Sequence, residues 1–157
     1  MLLVGFVGYA LWKRRWAWIV AGGLAVAVTD PLCARVLKAA FGRERPCRAL
    51  LDVRTPEGCG AASAMPSVHA ANTAALAAAV GSPVLAGVAI VTGLSRVVAG
   101  QHWPSDVLVG WGVGGAVGAG IGAATRAAMR RRRQSRGRKT GPIDATRDRS
   151  EEERPWT

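Results

Sequence analysis

The chain has 157 residues, half of them hydrophobic, and a formal net charge of +11. Its apolar residues fall in long blocks between charge clusters, and its few aromatics do not interleave with the basic residues. That argues against a base-stacking nucleic-acid surface and for one membrane domain with basic flanks.

In chain order, residues 2–12 are apolar but too few for the roughly 20 that a spanning helix needs. The charges Lys13, Arg14 and Arg15 follow this stretch instead of preceding it, the reverse of a signal peptide. A short or truncated first helix is expected there. Residues 16–41 read as one long helix, with Trp16 and Trp18 as interface anchors, a kink at Pro31, and Arg35 and Lys38 in its last turns. At about 1.5 Å per residue it is long enough to cross the hydrocarbon and emerge.

Residues 42–66 form a polar, arginine-rich loop. Its Cys47 and Cys59 either pair in an oxidising compartment or stay as two loop thiols. Cys33 packs as a small apolar residue. A helix of mostly alanine follows over 67–80, then a Gly81-Ser82-Pro83 turn, then a helix over 84–98.

Residues 107–125 are uncharged and carry Gly110, Gly114, Gly118 and Gly122 at every fourth position. That ridge lets another helix approach closely, from this chain or from a second copy in a homo-oligomer. Beyond it the composition turns basic and polar. The expectation is an all-α, polytopic transmembrane bundle of about five helices with a polar outer loop. Residues 1–128 form the membrane domain, and 129–157 a disordered tail whose arginines rest on anionic lipid head groups.

Lys13–Arg15 and the arginines at 126–133 both belong on the cytoplasmic side. Alternating helices then put the 42–66 loop and the segment SRVVAGQHWPSD (residues 95–106) on the outer face. Arginines on that face go against the positive-inside rule, and binding an anion accounts for them.

Three pieces converge there: KAAFGRERP from Lys38, PSVH from Pro66, and SRVVAGQHWPSD. Lys38, Arg45 and Arg96 repel one another unless an anion sits among them. Arginine grips a phosphate with two parallel hydrogen bonds. Ser67 and the amides near the helix start beside it add neutral donors. His69 and His102 are the only histidines, suited to proton transfer or nucleophilic attack near neutral pH. Asp106, one helical turn after His102, is spaced to hold the imidazole in one tautomer. No compact His/Asp/Glu cluster has metal-ligand spacing.

These motifs resemble those of the type 2 phosphatidic acid phosphatase superfamily, related to vanadium haloperoxidases and bacterial acid phosphatases. The family pattern is Lys, six residues, Arg-Pro; then Pro-Ser-Gly-His; then Ser-Arg, five residues, His, three residues, Asp. Lys38 with Arg45-Pro46 matches, as do Ser95-Arg96, His102 and Asp106; Val68 stands where glycine is usual. Membrane members commonly have six helices.

The resemblance implies a cofactor-free, metal-independent lipid phosphatase. In that scheme His102 attacks phosphorus to form a phosphohistidine. Asp106 orients it, and His69 protonates the leaving oxygen and then activates water. Lys38, Arg45, Ser67, Val68 and Arg96 hold the phosphate. The expected substrate is undecaprenyl diphosphate or a related polyprenyl phosphate, with phosphatidylglycerol phosphate or phosphatidic acid as alternatives. The expected location is a bacterial inner membrane, multi-pass, with the site on the periplasmic face and lipids, not nucleic acid, as partners. The reading of another class is a non-catalytic membrane protein that binds anionic lipid.

Overall fold

The computed structural model describes residues 16–50, 52, 53, 55 and 58–139, together with Gly5 and Gly8. The expected first helix over 2–12 and the tail beyond residue 139 lie outside the described residues. Among the described residues the fold is all-helical, with no strand.

Helix α1 spans Trp16–Pro31 and runs into a π-helical segment, Leu32–Leu37, and then α2, Lys38–Phe41. Pro31, where a kink is expected, leads into a local widening of the helix. Proline supplies no N–H, and the turns after it close over five residues, the Lys38 N–H reaching the Cys33 carbonyl. A π turn advances the helix face by one residue and recurs at functional sites. Gly42, at φ +56°, ends the run and returns its N–H to the Lys38 carbonyl.

A single turn, α3 (Pro46–Ala49), follows. Helix α4 is Val68–Val80, closed by Gly81 at φ +71°. Helix α5 is Pro83–Val98, with proline at its first position and the Ser82 hydroxyl accepting from the Leu85 N–H. Helix α6 is Pro104–Lys139. The stretch 129–139 is therefore helical, where a disordered tail was expected. Its methionine, arginines, glutamine and lysine are strong helix formers, so charge alone does not unwind it. The chain divides into two compact units, 1–125 and 126–157. In the second, the arginines at 130–133 and Arg136 sit on an exposed helix.

Within the first unit α4 lies at the centre. It packs against α1 and α5 and buries Ala70, Ala71, Ala75, Ala77 and Ala79. Ala25 of α1, Ala75, Ala79 and Ile121 of α6 form one apolar cluster. The glycine ridge of α6 lies on α4. A Cβ built on Gly110 or Gly122 would stand 2.6 Å from the Ser67 or Ala79 carbonyl oxygen, and one on Gly114 or Gly118 would overlap the carbonyl of Ala71 or Ala75. The close approach expected of the ridge is thus made inside the chain. The ridge is filled by α4.

Small residues fill the interior while Val20, Leu24, Val84, Ile90, Val91, Leu94, Val98 and Leu108 are exposed. This inverts the usual soluble pattern and suits a lipid surround, where backbones approach through small residues. By length and composition, 16–49 and 104–136 are long and apolar enough to cross a membrane; α4 and α5 are shorter apolar helices.

Candidate active site

The three motifs meet at one end of α4. Lys38 opens α2, Arg45 precedes α3, Val68 and His69 open α4, Arg96 lies in the last turn of α5, and His102 sits in the loop before α6. All six line one cavity of about 360 Å³. Ser67 is fully buried beside it, and its hydroxyl has no hydrogen-bond partner among the described residues.

Arg45 is held rigidly. Its Nε donates to the Ala62 carbonyl at 2.9 Å, and its Nη1 to the Gln101 carbonyl at 3.1 Å and to Gln101 Oε1 at 2.9 Å. Gln101 Nε2 in turn donates to the Gly58 carbonyl at 2.5 Å. Gly60 faces the guanidinium, and a Cβ there would sit 3.0 Å from its Cζ. Cys47 and Cys59 form a disulfide with Cα atoms 5.9 Å apart, and the Cys47 N–H donates to the Gly100 carbonyl at 3.2 Å. The 42–66 loop is thereby tied to the segment that carries His102.

His102 is almost fully buried. Its Nδ1 lies 2.6 Å from the Ala64 carbonyl oxygen. A carbonyl only accepts, so Nδ1 carries the proton and Nε2 keeps a lone pair. Burial first, then Arg45, hold the imidazole down to about 4, with Lys38 and His69 acting the same way and the Ala64 hydrogen bond opposing them.

Asp106 does not make the bond expected of it. Its Oδ2 is 3.8 Å from His102 Nδ1, outside hydrogen-bonding range, and a neutral His102 forms no ion pair across that gap. The physical reason is competition. Asp106 is the third residue of α6 and takes the role of an N-terminal acid. Its Oδ2 accepts the Trp103 N–H at 2.8 Å, the back-reaching half of a capping box. Its Oδ1 accepts from Arg43 Nη1 at 3.0 Å.

Arg43, Gln101, Gly60 and Ala64 are absent from the sequence reading of the site. Arg43 and Gln101 carry a local signal, each lying inside or beside a motif. Ala64 carries none, because it acts through its carbonyl.

The profile of the PAP2 superfamily matches residues 14–130. The decaprenylphosphoryl-5-phosphoribose phosphatase of Mycobacterium tuberculosis is 35% identical over 120 residues, covering 72% of this chain and 64% of the relative. The protein of the same name from Mycolicibacterium smegmatis is 36% identical over 102 residues, 62% of this chain and 54% of the relative. The chain thus spans less than two thirds of the length of these curated relatives. No solved structure gives a significant match.

Proposed function

From its membership of the PAP2 superfamily, we propose that this chain is a lipid phosphatase working through a phosphohistidine. The observation that carries the reading is the shared cavity, where Lys38, Arg45 and Arg96 surround the two histidines. A phosphate held by these cations presents phosphorus to His102. The Nε2 lone pair attacks, the bond from phosphorus to the leaving oxygen breaks, and His69 protonates that oxygen. Water, deprotonated by His69, then attacks the phosphohistidine; phosphate leaves and His102 is restored. The three cations stabilise the charge on the equatorial oxygens, a role that metal ions serve in other phosphoryl transfers. The buried, unpartnered Ser67 hydroxyl is a further donor to phosphate, and the Val68 amide replaces that of the usual glycine.

The substrate is a polyprenyl-linked phosphate. The names of the relatives support this class, and the inverted small-in, large-out packing supports delivery from a bilayer. Within the class, a phosphorylated polyprenyl sugar and undecaprenyl diphosphate use the same cradle, and phosphatidylglycerol phosphate or phosphatidic acid are the alternatives outside it. The chain crosses a bacterial inner membrane several times with the site on the outer face. The disulfide supports an oxidising compartment for the loop, and the arginines after residue 125 a cytoplasmic end for α6.

Phosphate release from a panel of these lipids, in chelator and detergent micelles, tests the proposal. Polyprenyl phosphates should be cleaved and the His102→Ala variant should release none. Full activity of His102→Ala, or a requirement for a divalent metal, would sink it.

A further inference from the structure

We propose that Arg43 is a positioning residue that sets both the tautomer and the location of His102. The inference rests on the reading of His102 as nucleophile and adds a residue outside the three matched motif positions.

Arg43 grips the surroundings of His102 from two sides. Through its side chain, Nη1 lies 2.6 Å from Ser105 Oγ and 3.0 Å from Asp106 Oδ1, which pins the first turn of α6. Its guanidinium also stacks over the Trp103 ring, 5.6 Å from the centroid. Trp103 is fixed in turn by its indole N–H donating to the Glu44 carbonyl at 3.1 Å. Through its backbone, the Arg43 carbonyl accepts the Ala64 N–H at 2.8 Å. Ala64 then presents the carbonyl that accepts the hydrogen bond from His102 Nδ1–H. One residue therefore holds both the acceptor that orients the imidazole and the carboxylate behind it.

Asp106 is fully buried, and a buried carboxylate needs a compensating charge. With Arg43 in place, Asp106 is engaged away from the ring. Without it, the carboxylate, 3.8 Å from His102 Nδ1, stabilises the protonated form of that ring by attraction. The other charged groups that act on His102 are Lys38 of α2, Arg45 before α3 and His69 of α4, with Arg96 of α5 on the same cavity. None of these charges is itself removed when Arg43 is replaced. Loss of Arg43 should therefore favour the imidazolium and remove the Nε2 lone pair at a higher pH than in the parent.

The test uses the full chain in detergent micelles with farnesyl phosphate as probe. Arg43→Met keeps the length and removes the charge. Its kcat should fall by about 10²-fold, with KM changed by less than about threefold, as a mispositioned group predicts. The acid limb of kcat/KM should move up by about one pH unit or more. Arg43→Lys, which keeps the charge but not the planar fork, should hold the parental acid limb while losing about tenfold in kcat. If Arg43→Met does not accumulate as folded protein, Arg43→Lys alone decides. Parental kcat in whichever variant folds, or an unmoved acid limb in Arg43→Met, overturns the inference. An active His102→Ala would instead overturn the reading beneath it, so the two failures are distinguishable.

Discussion

Ala64 contributes only a carbonyl oxygen to the site, yet that oxygen decides which nitrogen of His102 can act. With Nδ1 donating to it, the free lone pair is on Nε2, the one that the proposed mechanism uses, and burial lowers the ring's affinity for a proton. The expected consequence is a kcat/KM that holds as pH falls from 7 through 5 and drops only near about 4, since kcat/KM reports the free enzyme. Bound phosphate adds negative charge beside the ring and favours the imidazolium, so the acid limb of kcat should lie at higher pH than that of kcat/KM. A kcat/KM profile that already falls at pH 6.5 contradicts this assignment. Gln101 is the second residue whose role is local. It joins the Arg45 guanidinium to the Gly58 carbonyl, and Gln101→Leu should raise KM about tenfold, the order expected when one hydrogen bond to a charged group is lost. An unchanged KM would show that Arg45 keeps its place without it.

At the scale of elements, the contact between α4 and α6 is the feature most open to test. Gly114 lies on the Ala71 carbonyl, whereas Gly115, one residue on, has nothing within 4 Å of a Cβ placed there. Gly114→Ala should lower stability by about 1–3 kcal/mol through overpacking. Gly115→Ala should be neutral or raise it by up to about 1 kcal/mol, because alanine is the better helix former. Thermal unfolding of the two variants in the same micelles compares them directly, and equal melting temperatures would mean the helices are not in this register. The outer loop offers a second test. The Cys47–Cys59 bridge joins it near the strap that holds Arg45, and Cys47→Ser with Cys59→Ser should cost about 2–3 kcal/mol for a loop of this size. The same double variant should raise KM, as the Gly58 and Ala62 carbonyls lose their fixed places. A parental KM would confine the bridge to stability.

At the scale of the molecule, the packing is turned outward. Alanine and glycine meet in the interior, and valine, leucine and isoleucine face away from it. Such a chain has little to gain by burying large side chains on one another, and its helices associate through close backbone contact instead. The first and last helical runs have the length and composition to cross a bilayer, while α4, at 13 residues and about 20 Å, is shorter than the hydrocarbon. Its position between α1, α5 and α6 lets it lie inside the protein, with the cavity at its N-terminal end. This placement explains why the motifs are spread along the chain: each is carried by the end of a different helix, and the helix ends gather where α4 begins.

Much of this is legible in the sequence. Apolar blocks mark the helices, because a segment in lipid must satisfy its own backbone. The three motifs bring cations and histidines of definite chemistry at definite spacings, and Lys38, Arg45, Val68, His69, Arg96 and His102, which the motifs carry, line one cavity. What only the tertiary structure decided are pairings between distant backbone and side-chain groups. The ridge of α6 announces close contact but not its partner, since α4 and a second copy offer the same small surface. Asp106, four residues after His102, has the spacing of an orienting carboxylate, yet folding gives its oxygens to a helix start and to Arg43. Ala64, silent in sequence because any residue has a carbonyl, takes the place left at Nδ1.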